Sequence, residues 1–131
     1  MNYSINEVAN KFGLSVHTLR FYDKEGLMPF IGRDKSGNRA FTDTDLKWVA
    51  MVCCLKDTGM SIKEIKRYAD WCLQGMQTID ERKTMLSEHR KHVVRQIEEL
   101  TKNLQLIDSK IAIYDDPELA QKMYGSLENT P

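Results

Sequence analysis

From Ile79 to Tyr114, apolar residues return at alternating steps of four and three: Ile79, Leu86, Val93, Ile97, Leu100, Leu104, Ile107, Ile111 and Tyr114. Lys83 and Arg90 fill the two polar positions of the series. This is a heptad seam, kept over about five repeats and surrounded by Glu, Lys, Arg and Gln. A helix of that length runs roughly 50 Å. The chain has 131 residues, enough for one compact domain and an extension but not for two full domains. So small a domain cannot cover the seam along its whole length. The helix needs a partner, and the simplest is the same helix of a second copy. Leu86, Val93, Ile97, Leu100, Leu104, Ile107 and Ile111 are therefore the expected dimerisation residues.

Ahead of the seam the sequence reads as short helices with marked starts and stops. Ser4 with Glu7 forms a capping box for a first helix whose apolar stripe is Ile5, Val8, Ala9 and Phe12, stopped by Gly13. Ser15 caps a second helix carrying Val16, Leu19 and Tyr22 on one face and ending at Gly26. Two short helices joined by a glycine-containing turn have helix-turn-helix spacing. From Leu27 to Phe41 the texture changes: Asp34-Lys35-Ser36-Gly37-Asn38 reads as the tip of a β-hairpin flanked by Phe30-Ile31 and Ala40-Phe41. A basic hairpin directly after a helix-turn-helix is a wing. Thr42 with Asp45 opens a third helix (about 43–56), and Ser61 with Glu64 opens a fourth that reaches about Leu73. The expected division is 1–75 for the winged reader and 76–116 for the dimerisation helix. Asp115-Asp116-Pro117 ends that helix, leaving 117–131 as a tail that is a short helix at most or disordered.

Composition removes several function classes. The formal net charge is +0, so any case for nucleic acid rests on where charges fall. The longest apolar run, near Trp48 to Leu55, is too short to span a membrane, and no secretory signal pattern opens the chain. Cys53, Cys54 and Cys72 make no even disulfide framework, so free thiols in a reducing cytoplasm are expected. His17, His89 and His92 are scattered, and no nucleophile lies beside a base and an orienting group at useful spacing. Enzymatic activity is not expected.

The second helix is the candidate DNA reader. Ser15, His17 and Thr18 at its start can enter a major groove, with Arg20 one turn further on. Arg20 suits phosphate or guanine, though a solvated helix face is the plain alternative. Tyr22 offers a hydroxyl to phosphate, though its place on the apolar face equally suits a core aromatic. Arg33, Lys35 and Arg39 of the hairpin would grip the DNA backbone, supplying affinity and little specificity.

The run Ser15-Val16-His17-Thr18-Leu19-Arg20-Phe21-Tyr22-Asp23-Lys24-Glu25-Gly26-Leu27, followed by Pro29, Arg33, Arg39 and Phe41, resembles the DNA-binding signature of MerR-type regulators. Two aromatics follow the arginine, then a Gly-Leu, then an arginine two residues before an aromatic. The resemblance extends over residues 3 to about 114 and includes Gly59-Met60-Ser61-Ile62-Lys63-Glu64-Ile65. It implies a mainly α fold: a winged helix-turn-helix domain followed by a long antiparallel coiled-coil dimerisation helix. It further implies a homodimer on a near-palindromic promoter operator with an overlong spacer. There an effector makes the dimer bend and untwist the DNA, bringing the elements read by RNA polymerase into register.

Within that family, metal-sensing members place cysteines near the start of the dimer helix and in the loop after it. Cys72 is near the first place, but residues 115–131 hold no Cys or His, so no metal and no other cofactor is expected. Cys54-Leu55-Lys56-Asp57-Thr58-Gly59-Met60-Ser61 is similar to the subgroup that responds to aldehydes and other electrophiles or to nitrosative stress. That likeness maps the sensor thiol onto Cys54, with Cys72 and then Cys53 as weaker candidates. Positive charge at Lys56 would favour the thiolate, whereas Cys53 and Cys54 lie in an apolar helix, where burial would oppose it and make them core fillers; the interhelical position of Cys72 allows either role. Two other readings of the chain stand beside the regulator: an effector-independent DNA-bending accessory protein, and a helical adaptor whose coil binds another protein.

Overall fold

A computed structural model describes residues 1–128, with side chains described as far as 125. The fold is mainly α. Helices α1 (Ile5–Phe12), α2 (Val16–Lys24), α3 (Asp43–Asp57) and α4 (Ile62–Leu73) precede a 3-10 turn (Gly75–Thr78). The long helix α5 (Ile79–Tyr114) and then α6 (Pro117–Glu128) complete the order.

The caps form where the sequence places them. Ser4 accepts the Glu7 N–H while Glu7 accepts the Ser4 N–H, and Thr42 and Asp45 make the same reciprocal pair. Ser15 caps α2 by accepting the Thr18 N–H at 3.0 Å. Ser61 also accepts the Glu64 N–H, but the reciprocal half of that expected box is missing: the Ser61 hydroxyl itself donates to the Glu64 carboxylate at 3.0 Å. Gly13 ends α1 at φ 66°, a left-handed conformation that costs glycine little.

The first compact unit runs from Met1 to His89 and so includes the opening turns of α5. Its core is built from the apolar stripes of all the short helices. Val8 and Ala9 come from α1, Leu19 and Tyr22 from α2, Leu46, Val49, Val52 and Leu55 from α3, and Ile65 from α4. Leu27, Met28, Ile31 and Phe41 close it from the wing side, and Met85 and Leu86 pack on it from α5. Leu86, placed in the seam by periodicity, thus already has a partial cover within its own chain.

The wing is smaller than a two-stranded hairpin. Arg33 and Arg39 form one isolated antiparallel bridge, and Ala40 N–H donates to the Gly32 carbonyl at 3.0 Å. Phe41, expected to pair with the Phe30-Ile31 flank, pairs instead with Tyr3. Each N–H donates to the other's carbonyl, at 2.7 and 2.9 Å. The N-terminal segment therefore takes the edge that a longer hairpin would have used.

The second unit begins at Arg90. In it Ile97, Leu100, Leu104, Ile107, Ile111 and Tyr114 are all exposed, as are Leu106, Leu119 and Met123, while Val93 is half-buried. The expected tail is a regular helix: Asp116 accepts the Leu119 N–H at 3.2 Å, and Pro117 opens α6 at the position where its missing N–H costs nothing. Lys110 lies 4.0 Å from the Tyr124 ring centre, and Tyr114 and Tyr124 pack with centroids 5.8 Å apart. Among the described residues no helix is long and apolar enough to cross a membrane.

Candidate nucleic-acid interface

Helix α2 divides cleanly into a buried and an open face. Leu19 and Tyr22 face the core, whereas Ser15, His17, Arg20 and Phe21 are exposed. Ser15 and Thr18 are committed to the cap, their hydroxyls 2.9 Å apart, so each keeps one side free for a ligand. Among the described residues Arg20 has no hydrogen-bond or ion-pair partner, which leaves its full set of donors available. Beside it lies an open cleft of about 660 Å³, walled by Asn2, Tyr3 and Asn6, by Arg20 and Asp23 of α2, and by Arg33, Asn38 and Arg39 of the wing. The fold thus gathers side chains from three segments around Arg20. The N-terminus of α1, capped by Ser4 and Glu7, opens onto the same cleft.

The wing arginines differ in their freedom. Arg33 donates to the Gly37 carbonyl at 2.7 Å across the hairpin tip, remaining exposed. Lys35 sits exposed at the tip, where Asp34 accepts N–H bonds from Ser36 (2.9 Å) and Asn38 (3.0 Å). Arg39 is engaged. Its Nε and Nη2 fork onto the two Asp23 oxygens at 2.9 and 2.5 Å, and Nη1 donates to the Ile31 carbonyl. Both side chains of this pair are only about a fifth exposed (21% and 20%), so the pair fastens the wing to α2.

Tyr22 is 7% exposed and belongs to the core. Burial, and then the neighbouring Cys53 and Asp57, raise its phenol above the ordinary tyrosine range. Phe21 is the residue that sequence reasoning passed over. It is 44% exposed, on the open face beside Arg20. The signal was available: with Leu19 and Tyr22 fixing the buried stripe, position 21 falls outside it. Asn2, Tyr3, Asn6 and Asn38 were missed for a different reason, since only folding brings them to Arg20.

An aromatic stack joins α3 and α4 to the segment that follows α2. Trp48 donates from Nε1 to the Leu27 carbonyl at 2.7 Å. Its ring is stacked on Tyr68 at 5.8 Å and meets Phe30 edge-on at 5.0 Å. Gly26, at φ 83°, makes the turn before Leu27, and a side chain there would meet Lys66 Cε at 3.1 Å.

The three thiols have distinct surroundings. Cys54 is exposed, Cys53 and Cys72 half-buried. Burial, followed by Asp57, pushes the Cys53 thiol up. Cys72 accepts a long contact from Arg82 Nη1 at 3.8 Å; the same guanidinium donates to the Gly75 carbonyl at 2.8 Å. Burial, expected from sequence for Cys53 and Cys54 alike, therefore does not apply to Cys54. Among the described residues no group of three or more His, Cys, Asp or Glu could hold a metal ion.

Residues 3–70 match the family model described as MerR HTH family regulatory protein, and residues 46–110 match the one described as MerR, DNA binding. An uncharacterized HTH-type transcriptional regulator of Haemophilus influenzae is 50% identical over 114 residues, spanning 87% of this chain and 84% of that protein. The HTH-type transcriptional regulator AdhR of Bacillus subtilis is 34% identical over 91 residues, 70% of this chain and 65% of its own length. Among solved structures, HiNmlR, a MerR family regulator lacking the sensor domain, bound to promoter DNA, is similar with a TM-score of 0.83 and 46% identity. That likeness covers 99% of this chain and 100% of HiNmlR. A MerR family transcriptional regulator from Bacillus thuringiensis follows at TM-score 0.79 and 40% identity, over 86% of this chain and 98% of that one.

Proposed function

Because this chain belongs to the MerR family and is a DNA-binding transcriptional regulator, we propose that it acts as a homodimer on a near-palindromic promoter operator. In this reading Ser15, His17, Thr18 and Arg20 of α2 enter the major groove, and Phe21 packs against the sugar-phosphate edge. Arg33 and Lys35 contact phosphates beside the groove. Tyr22 and Arg39 contribute from beneath, by holding α2 and the wing in place. The observation that carries the proposal is the placement of Arg20, without a partner among the described residues, on the exposed face of α2 and in the wall of a cleft shared with the wing. A HiNmlR crystal bound to promoter DNA supports the same use of the fold here.

The test is operator binding at several salt concentrations, after selecting the duplex from random sequence. Arg33→Ala is expected to lower affinity alike for all sequences and to reduce the salt slope by about one counterion. Arg20→Ala is expected to cost about 1–3 kcal/mol and to relax base preference at its position. A variant pair with unchanged affinity and slope would remove the interface from this surface.

The same reading extends to regulation. The dimer bends and untwists a promoter whose spacer is too long, so that RNA polymerase meets both of its elements in register. The inducing signal is an aldehyde or related electrophile taken up by Cys54, in a reducing cytoplasm. The exposure of Cys54 supports it as the reacting thiol. In the reaction a new S–C bond forms, the carbonyl π bond opens, and the thiol proton passes to the oxygen, giving a hemithioacetal with no oxidant needed. Alkylation with iodoacetamide at pH 8 is expected to reach Cys54 first. Cys53, half-buried with its thiol pushed up, should react at least about tenfold more slowly. Peptide mapping over time reads the order, and faster labelling of Cys53 would transfer the sensor role away from Cys54.

A further inference from the structure

Thr58, at the C-terminal cap of α3, has a hydroxyl that touches two elements at once. Its Oγ1 lies 2.7 Å from the Cys54 carbonyl and 2.7 Å from Nε2 of His89, on the opening turns of α5. A carbonyl can only accept, and a threonine hydroxyl has one proton to give. If that proton goes to the Cys54 carbonyl, Nε2 of His89 must carry the hydrogen that is donated to Oγ1. The contacts therefore make a directed chain, from the His89 ring N–H to the Thr58 hydroxyl to the Cys54 carbonyl. The negative end of the α3 dipole also favours a donor ring at this place. Cys54 and Thr58 stand four residues apart and so share one face of α3, with the Cys54 thiol at the surface.

We propose that Thr58 and His89 are the positioning pair through which α5 reads the chemical state of Cys54. The inference rests on the reading that Cys54 takes up the electrophile. A hemithioacetal at Cys54 places a new hydroxyl beside Oγ1, where it competes with His89 for the Thr58 hydroxyl. The hold on α5 at His89 is then exchanged for a bond within α3. Because α5 also carries the apolar seam, a change at its opening turns reaches the helix that sets the spacing of two readers. Neither Thr58 nor His89 reacts.

The experiment uses the full chain treated with formaldehyde. Peptide mapping follows uptake at Cys54, and hydrogen exchange follows the backbone of residues 79–93. In the native protein, uptake is expected to change exchange in this stretch by at least about fivefold. Thr58→Val and His89→Ala are expected to take up formaldehyde at Cys54 at the native rate, with the exchange of α5 no longer responding. His89→Gln, whose side-chain amide can donate in place of the ring, should recover part of the response. Ring nitrogen chemical shifts of the unreacted native protein should show hydrogen on Nε2 of His89. A native-sized exchange response in His89→Ala, or an Nδ1-only ring, overturns the relay while leaving Cys54 as sensor. Absence of any adduct on native Cys54 removes the sensor reading, and the relay with it.

Discussion

Replacing Leu100 by Lys is expected to dissociate the proposed homodimer and abolish tight operator binding. Leu100 is 67% exposed in the isolated chain, with Ile97, Leu104, Ile107 and Ile111 exposed in the same row. Burying one leucine is worth about 1.5–3 kcal/mol, and the two-fold axis of a homodimer counts it twice, giving about 3–6 kcal/mol. That corresponds to a dimer dissociation constant weaker by roughly 10² to 10⁴. In an antiparallel pair overlapping through residues 90–111, Leu100 lies close to the axis. Two lysines would then face each other there, adding repulsion to the lost contact. Each half-site would be left with a lone reader, and the gain from simultaneous engagement of two half-sites would vanish. Sedimentation equilibrium and operator titration give the two readouts, with Leu100→Met as a control of similar volume. A Lys variant that still sediments as a dimer with native affinity would contradict the seam as the dimer interface.

The second large effect is expected from Asp23→Ala. Asp23 holds the guanidinium of Arg39 in a two-toothed ion pair that is about four-fifths shielded from water. Its removal leaves Arg39 with the Ile31 carbonyl and an unpaired, largely buried charge. The expected cost is about 2–3 kcal/mol of stability. The effect on DNA has an informative sign. Deleting a carboxylate beside the proposed interface should by electrostatics alone strengthen binding to phosphates. If the pair positions the wing, affinity instead falls, by about tenfold or more. Arg39→Lys should not spare the protein, because an ammonium cannot fork onto both oxygens. Urea unfolding and operator titration separate the two outcomes: tighter binding by Asp23→Ala would mean that the pair has no part in placing the wing.

Local features of the fold were legible in the sequence because their causes are local. Ser4, Ser15 and Thr42 announce helix starts through bonds made within three residues. The seam from Ile97 to Ile111 reads off as a row, and the row is exposed. The pairing of the wing was not legible. Phe41 has a neighbouring partner in the sequence and a distant one in the fold, and nothing near it indicates that Tyr3 takes its backbone bonds. The fork between Asp23 and Arg39 likewise spans segments that periodicity treats separately, so Arg39 looked like one more free wing cation. Helix α6 was legible as one of two alternatives. Asp115-Asp116-Pro117 marks the end of α5, and Pro117 also suits the first position of the short helix that follows. For the thiols, composition alone cannot separate Cys53 from Cys54, whereas the turn of α3 half-buries one and leaves the other open.

The stack around Trp48 has a practical consequence. The chain holds two tryptophans, and they fall at different joints: Trp48 is bonded to the Leu27 carbonyl under the wing, and Trp71 offers its carbonyl to Thr78 at the corner before α5. Each joint therefore carries its own native fluorophore. In Trp71→Phe protein, emission would report on the wing alone, and in Trp48→Phe protein on the corner alone. The order in which the two respond as promoter DNA is added, and then as an aldehyde is added, can be timed in stopped flow without attaching a dye.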